Sequence, residues 1–313
     1  MKALVTGAGG FVGANLVRYL LAGGHEPVAV VRPGGEPWRL AELHEDVARV
    51  PVDLGDPEAI ERAVLAERPE VIFHLAAHGA YSWQQDLAKM LADNVRAVDA
   101  LLGTARQLGA TVINAGSSSE YGYQDHPPRE DQLVRPNSHY AVTKVAATHL
   151  CQLAADRDGV QAMTLRLYSV YGPWEEPGRL MPTLVRRAVD GGWPPLVGRD
   201  TARDFVWVED ACEAFVRAAT HEPAQPGAVF NVASGTQTTL GELVTLAGSV
   251  FGVVVEPEWG TMAQRVWDTS IWVGDPTCAA EQLGWRALTP LGEGLARMGA
   301  WLSERPDLEA RYG

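Results

Sequence analysis

A phenol and an ammonium stand four residues apart at Tyr140 and Lys144, with Ser117-Ser118-Ser119-Glu120 upstream. On a helix that spacing is one turn, so both side chains leave from the same face. An ammonium beside a phenol favours the phenolate and draws the tyrosine pKa toward neutrality. Such a tyrosine can take a proton from an alcohol oxygen, or return it, while hydride moves at the attached carbon. The plain alternative is a Tyr and a Lys that only line a helix surface. Composition weighs against it: among 26 Lys plus Arg, the only lysines are Lys2, Lys89 and Lys144. A compact, tunable cation one turn after the tyrosine suits proton transfer better than a guanidinium does. Glu120 has two readings, a catalytic base or a structural carboxylate at a turn.

The elements that must position this set begin at the first strand, Ala3-Leu4-Val5. It runs into Thr6-Gly7-Ala8-Gly9-Gly10-Phe11-Val12-Gly13 and a helix with Leu16, Val17, Leu20 and Leu21 on one face. Glycines at 7, 10 and 13 permit a tight turn and close approach of a pyrophosphate to the helix N-terminus. Gly7, Gly10, Phe11, Val12 and Gly13 are therefore the expected dinucleotide contacts, and the strand–turn–helix context is what gives the pattern weight. A second strand, Val28–Val31, ends at Arg32. An acidic residue at that strand end holds the ribose hydroxyls of NAD, whereas an arginine accommodates a 2′-phosphate. Val31-Arg32 thus favours NADP(H), with NAD(H) as the alternative; a solvent-facing loop arginine is the competing reading. The third strand leads to Asp53-Leu54, a natural contact for the adenine ring.

A helix is expected over 57–66, and a fourth strand, Glu70–Leu75, opens into Ala76-Ala77-His78-Gly79. Leu75, Ala76 and Ala77 are small or apolar enough for a cofactor to lie against backbone. His78 and Tyr81 are candidate substrate contacts, although the loop from Tyr81 to Asp86 reads equally as a surface connection. A single helix from Leu87 to Leu108 carries Asn94, and the fifth strand, Thr111–Ala115, delivers the serine run. The sixth strand is Ala162–Leu167 and the seventh Val229–Val232. The class is α/β: a Rossmann-type, doubly wound parallel sheet with ligands beyond its C-terminal strand ends. Residues 1–172, joined by 204–232, form the expected dinucleotide domain, and 173–313 a smaller mixed α/β substrate domain. After Leu240 the pattern reads helix, short strand, the stretch 267–273 and two closing helices. Eight of the ten tryptophans follow residue 170; packing is the expected role for most, stacking on a sugar or base the alternative.

A net charge of −13 argues against a nucleic-acid partner, whose phosphates call for a basic face. Cys151, Cys212 and Cys278 are odd in number and far apart, so neither a disulfide framework nor a metal site is expected. The start is a strand and a glycine turn, not an apolar leader, and no stretch is apolar enough to span a bilayer. A cytoplasmic location is expected.

With these residues together, the chain resembles the extended short-chain dehydrogenases that modify nucleotide sugars, the epimerase/dehydratase group. Thr6–Gly13 resembles that family's TGxxGxxG, His74-Leu75-Ala76-Ala77 its HLAA, and Tyr140 with Lys144 its YxxxK. The resemblance puts Ser118 at the family's catalytic Ser or Thr and Asn94 at an asparagine that supports the active-site helix. Arg203-Asp204 and Asn231-Val232 are similar to late RD and NV signatures, which makes Arg203 and Arg265 candidate phosphate contacts. Two departures stand out. Ser169 replaces the asparagine of RxxNVYGP, and a single Glu120 replaces the acidic pair of dTDP-glucose-type 4,6-dehydratases. Ser-Ser-Ser-Glu-Tyr-Gly and Trp267-Asp268-Thr269 look more like reductases of CDP-4-keto-dideoxyhexoses, of the paratose- or abequose-synthase kind.

The resemblance implies a nucleotide-diphosphate sugar as substrate and hydride transfer at its C4. Tyr140 would be the acid/base, Lys144 would tune it and hold the nicotinamide ribose, and Ser118 would bond the reacting oxygen, with Ser119 and Ser169 as further substrate contacts. Run toward reduction this is a 4-keto-sugar reductase, which Arg32 favours. Run both ways on one bound cofactor it is a 4-epimerase; a 4,6-dehydratase or decarboxylase follows behind. The non-enzyme alternative is a cofactor-sensing regulatory protein. A homodimer through the helix bearing Tyr140 and its neighbour is also implied.

Overall fold

The computed structural model describes residues 1–43, 45–81, 83–221, 225–262 and 269–312. Its strands are β1 (Lys2–Thr6), β2 (Glu26–Val31), β3 (Ala48–Pro51), β4 (Val71–His74), β5 (Thr111–Ser117), β6 (Ala162–Leu167), β7 (Ser169–Tyr171), β8 (Ala202–Arg203), β9 (Phe205–Trp207), β10 (Val229–Val232) and β11 (Thr238–Thr239). Seven of them form one sheet in the order β10-β6-β5-β4-β1-β2-β3. Every pairing in it is parallel. These are the seven strands that the short apolar runs predict, the pattern expected of strands covered on both faces. The order departs from β1 in both directions, so the crevice opens where the chain reverses, between β1 and β4.

The helices are α1 (Phe11–Ala22), α2 (Pro57–Glu67), α3 (Leu87–Leu91), α4 (Ala97–Leu108), α5 (His139–Asp158), α6 (Leu180–Val189), α7 (Val208–Thr220), α8 (Leu240–Phe251), α9 (Thr277–Gln282), α10 (Leu291–Ser303) and α11 (Glu309–Tyr312). On one sheet face α1 and α7 pack Leu16, Val17, Leu20 and Phe215 against Val5, Phe73 and Ile113. On the other, α2, α4 and α5 pack Ile60, Val64, Leu101 and Ala147 against Leu4, Ile72 and Val112. Each such leucine, fully withdrawn from water, contributes roughly 2 kcal/mol. A third core lies beyond the sheet, where Tyr171, Leu184, Leu243, Leu295 and Met298 meet from β7, α6, α8 and α10.

Local chemistry fixes the boundaries. Asp56 caps α2 by accepting from the Glu58 and Ala59 amides (3.0 and 3.1 Å), with Pro57 at the first helical position. Ser138 caps α5 through the Ala141 amide at 3.2 Å, and Gly159 closes that helix at φ 69°. Two expectations change. The single helix 87–108 is instead α3, a five-residue π segment (Ala92–Arg96) and α4, and the wide turn carries Asn94. Among the described residues no strand forms between α8 and α9. Val254 there is 92% exposed: a β-branched run without a neighbouring edge has nothing to pair with.

Candidate functional site

A cleft of about 1300 Å³ follows the C-terminal ends of the sheet. Its wall takes in all of the expected dinucleotide contacts: Gly7, Gly10, Phe11, Val12, Gly13, Arg32, Asp53, Leu54, Leu75, Ala76 and Ala77. Gly7 sits at φ +68°, and a Cβ on it would lie 2.6 Å from the Ala76 amide nitrogen. A Cβ on Gly13 would lie 2.2 Å from the Gly7 carbonyl oxygen. The turn is thus closed glycine on glycine, with the Gly10 amide donating to Gly7 O at 2.8 Å. No side chain caps α1, so its first amides are left facing the cleft, which suits the pyrophosphate of a dinucleotide. Gly13→Ala should lower the unfolding free energy by roughly 1–3 kcal/mol and weaken NAD(H) binding. Thermal melts and a cofactor titration test this; unchanged values in both would refute the backbone-contact argument.

The serine turn hangs from the end of β5. Ser117 opens a short 3₁₀ turn, Ser118–Tyr121, as a capping box: its hydroxyl accepts from the Ser119 amide (3.2 Å) while Glu120 accepts from the Ser117 amide (2.8 Å). The other Glu120 oxygen accepts from Thr148 Oγ1 and Arg166 Nε, both at 2.9 Å. Glu120 is 0% exposed and is absent from the cleft wall. The base reading is therefore corrected: this carboxylate ties β5, α5 and β6 together behind the site. Ser118 and Ser119 do reach the wall.

Tyr140 and Lys144 both line the cleft from the first turns of α5. Lys144 is 3% exposed and donates to the Ala115 carbonyl at 2.9 Å, its ammonium 5.8 Å from the centre of the Tyr140 ring. Burial pulls the Lys144 pKa down to about 8, opposed by the negative charge of Glu120. The expected depression of Tyr140 is not found. Burial pushes the phenol up to about 12, against the downward pull of a hydrogen bond with Ser117 and of the Arg179 charge. Of the three serines it is Ser117, one residue before the serine that the family resemblance marks, whose hydroxyl bears on the Tyr140 phenol; it also lies 2.7 Å from Ser119 Oγ.

Asn94 accepts from the His78 amide (2.7 Å) and donates to the His78 carbonyl (2.8 Å) and to Thr143 Oγ1 (2.9 Å). The π segment so clips the loop after β4 to the helix that carries Lys144. The same clip bears on His78, the expected substrate contact, by holding its backbone amide and carbonyl. Ala77 and Gly79 line the cleft, but His78 does not. Tyr81, Ser169 and Arg203 do line it. Tyr81 stacks on Trp83 with ring centres 4.6 Å apart, Ser169 donates its amide to the Asp204 carbonyl at 2.9 Å, and the Arg203 guanidinium lies 5.7 Å from the Trp272 ring. Arg265, Trp267, Asp268 and Ser82 fall outside the described residues. Among the described residues no three His, Cys, Asp or Glu gather as a metal site, and no helix is long and apolar enough to cross a membrane.

Sequence reasoning overlooks three groups near the cleft. Glu175 and Arg179 lie on its wall in the loop before α6. Arg39 pins that loop to the glycine turn, donating to the Trp174 carbonyl (2.6 Å), the Gly9 carbonyl (3.3 Å) and Glu176 (2.9 Å). No periodicity marks any of them.

Residues 3–233 match a family model described as the NAD dependent epimerase/dehydratase family. A UDP-glucose 4-epimerase of Mycolicibacterium smegmatis is 35% identical over 310 residues, covering 95% of this chain and 97% of the relative. A dTDP-glucose 4,6-dehydratase of Streptomyces griseus is 30% identical over 312 residues, covering 95% and 93%. Among solved structures, MoeE5 in complex with UDP-glucuronic acid and NAD matches with a TM-score of 0.81 and 31% identity, covering 97% of this chain and 99% of that one. The glycine cradle, the Tyr–Lys pair and these likenesses converge on one statement: the chain belongs to the NAD-dependent epimerase/dehydratase family of nucleotide-sugar enzymes, within the extended short-chain dehydrogenases.

Proposed function

We propose that the chain is a nucleotide-sugar 4-epimerase working on one retained nicotinamide cofactor. The observation that carries this is the serine turn with Glu120 directed away from the cleft. Eliminating water from a sugar calls for an acid and a base besides the phenol. Oxidation and re-reduction at one carbon need only the phenol, and that is what the turn leaves beside Tyr140. The likeness to a UDP-glucose 4-epimerase and to a protein that binds UDP-glucuronic acid supports the epimerase direction.

When bound, the cofactor supplies the position that takes hydride from C4 and gives it back. Tyr140 receives the C4 hydroxyl proton and later returns it, and Ser117 holds the same oxygen in line. Lys144, fixed by the Ala115 carbonyl, keeps its ammonium at neutral pH and places positive charge under the ribose. Residues 173–313 hold the nucleotide-sugar end, with Arg203 on the phosphates. Val142 and Leu153 stay exposed on α5 and Leu91 on α3, which supports a homodimer through α5 and its neighbour.

Arg32 favours a second reading, a 4-keto-sugar reductase using NADPH. It lies exposed on the wall directly after β2, at the strand-end position where an NAD site carries an acid. Incubating the protein with UDP-glucose, UDP-glucuronic acid and 4-keto sugars, with NAD(H) or NADP(H), separates the two. Isomerised sugar without net cofactor consumption is the expected result. Stoichiometric NADPH loss would replace the epimerase by the reductase, and no conversion of any sugar would remove both.

A further inference from the structure

Among the described residues, one carboxyl on the cleft wall has an oxygen without a hydrogen-bond donor. Glu175 is 5% exposed, and its Oε2 has no hydrogen-bond partner. Its Oε1 is 3.8 Å from Arg179 Nε, beyond hydrogen-bond reach. A buried polar atom without a partner is unfavourable, so native structures rarely keep one unless something else completes it. The surrounding loop is held in place rather than left to relax. Trp174, just before it, adopts φ +69°, a strained conformation for a bulky residue. The guanidinium of Arg18 lies 4.1 Å from the Trp174 ring centre and that of Arg305 at 4.6 Å. The Glu175 carbonyl accepts from the Tyr312 hydroxyl at 2.6 Å, and Arg39 grips the residues on either side.

We infer that Glu175 is a specificity-determining residue whose free oxygen pairs with an uncharged N–H or O–H group of the bound ligand. Two sources offer that chemistry, the carboxamide of the nicotinamide cofactor and a hydroxyl of the sugar, and the inference rests on the proposed function in this respect. An uncharged partner fits the surroundings. Arg39 and Arg179 approach the carboxyl as cations, Glu176 and Tyr81 stand close by, and Tyr312 holds the backbone. Burial, partly offset by Arg179, pushes the carboxyl up to about 8, so at neutral pH it is mostly protonated and carries both a donor and an acceptor. A phosphate or carboxylate on the ligand would turn to Arg179 instead.

Glutamine keeps the shape and both hydrogen-bonding roles, whereas leucine keeps bulk and removes them. The test measures dissociation constants of the full chain for NAD+ alone, and for UDP-glucose with NAD+ present, in Glu175→Gln and Glu175→Leu. Glu175→Gln is expected to stay close to the unsubstituted chain. Glu175→Leu is expected to weaken one of the two constants by roughly tenfold without lowering Tm, because it removes an unsatisfied buried group. Weaker NAD+ binding identifies the carboxamide; weaker UDP-glucose binding with NAD+ unchanged identifies the sugar. A folded Glu175→Leu protein with both constants unchanged overturns the inference, as does a Gln variant as impaired as the Leu one. Should the Leu variant not fold, Glu175→Ala, which only removes atoms, takes its place with the same readouts. Because these are binding constants, a chain that binds both ligands yet turns over neither refutes the epimerase and leaves this result readable.

Discussion

Replacing Tyr140 by phenylalanine should lower kcat by roughly two to four orders of magnitude, while NAD(H) binds as before. Phe keeps the ring that packs beside Lys144 and removes only the proton carrier. Burial pushes this phenol up to about 12, so it has to be ionised in the complex with cofactor and sugar before it can act as the base. Within each turnover the ionised phenol must take the C4 hydroxyl proton and then return it to the re-reduced oxygen, and Ser117 alone cannot replace that function. The measurement is single-turnover isomerisation beside a cofactor titration. Retention of about a tenth of the rate would contradict general acid–base catalysis by this residue. A cofactor-sensing protein would show the opposite signature, unaltered signalling with the hydroxyl gone.

Glu120→Ala should lower the unfolding free energy by about 3–5 kcal/mol. The substitution strips three donors of their acceptor, the Ser117 amide, Thr148 Oγ1 and Arg166 Nε. The worst affected is Arg166, whose side chain is only 5% exposed and which is left, among the described residues, with a long 3.4 Å bond to the Glu130 carbonyl and the face of Tyr121 at 4.5 Å. A buried guanidinium without its carboxylate is the kind of vacancy that unfolds domains. Urea unfolding measures the loss, and Glu120→Gln should fall between the two because its amide oxygen still accepts. A catalytic base would behave in reverse: full stability and lost turnover.

Both predictions touch residues that the sequence marks, but it marks them unequally. The sheet and the glycine cradle are legible because short apolar runs and glycine spacing are local signals, and local backbone geometry is what they dictate. Hence each expected dinucleotide contact from Gly7 to Ala77 arrives on one wall. Within the run of three serines, by contrast, the choice depends on where β5 stops. The strand continues through Ser117, so that hydroxyl opens the turn, where it caps the turn and bears on Tyr140. Ser117-x-x-Glu120 was itself a readable capping signature, and it points to the structural role of Glu120. His78 was unreadable because its placement is decided by Asn94, sixteen residues on, through a widened helical turn that apolar periodicity does not announce. Glu175 and Arg179 lie in a loop with no period, and long-range grips bring them to the cleft.

Those grips give the molecule an adjustable back plate. Arg305 and Tyr312 are absent from the cleft wall, yet they brace Trp174 and its neighbour Glu175, which lines the cleft. Drift at these rearward positions would retune which sugars are accepted while the proton-transfer set stays untouched. A lineage could therefore explore new substrates by editing its outer shell, without ever passing through an inactive catalyst.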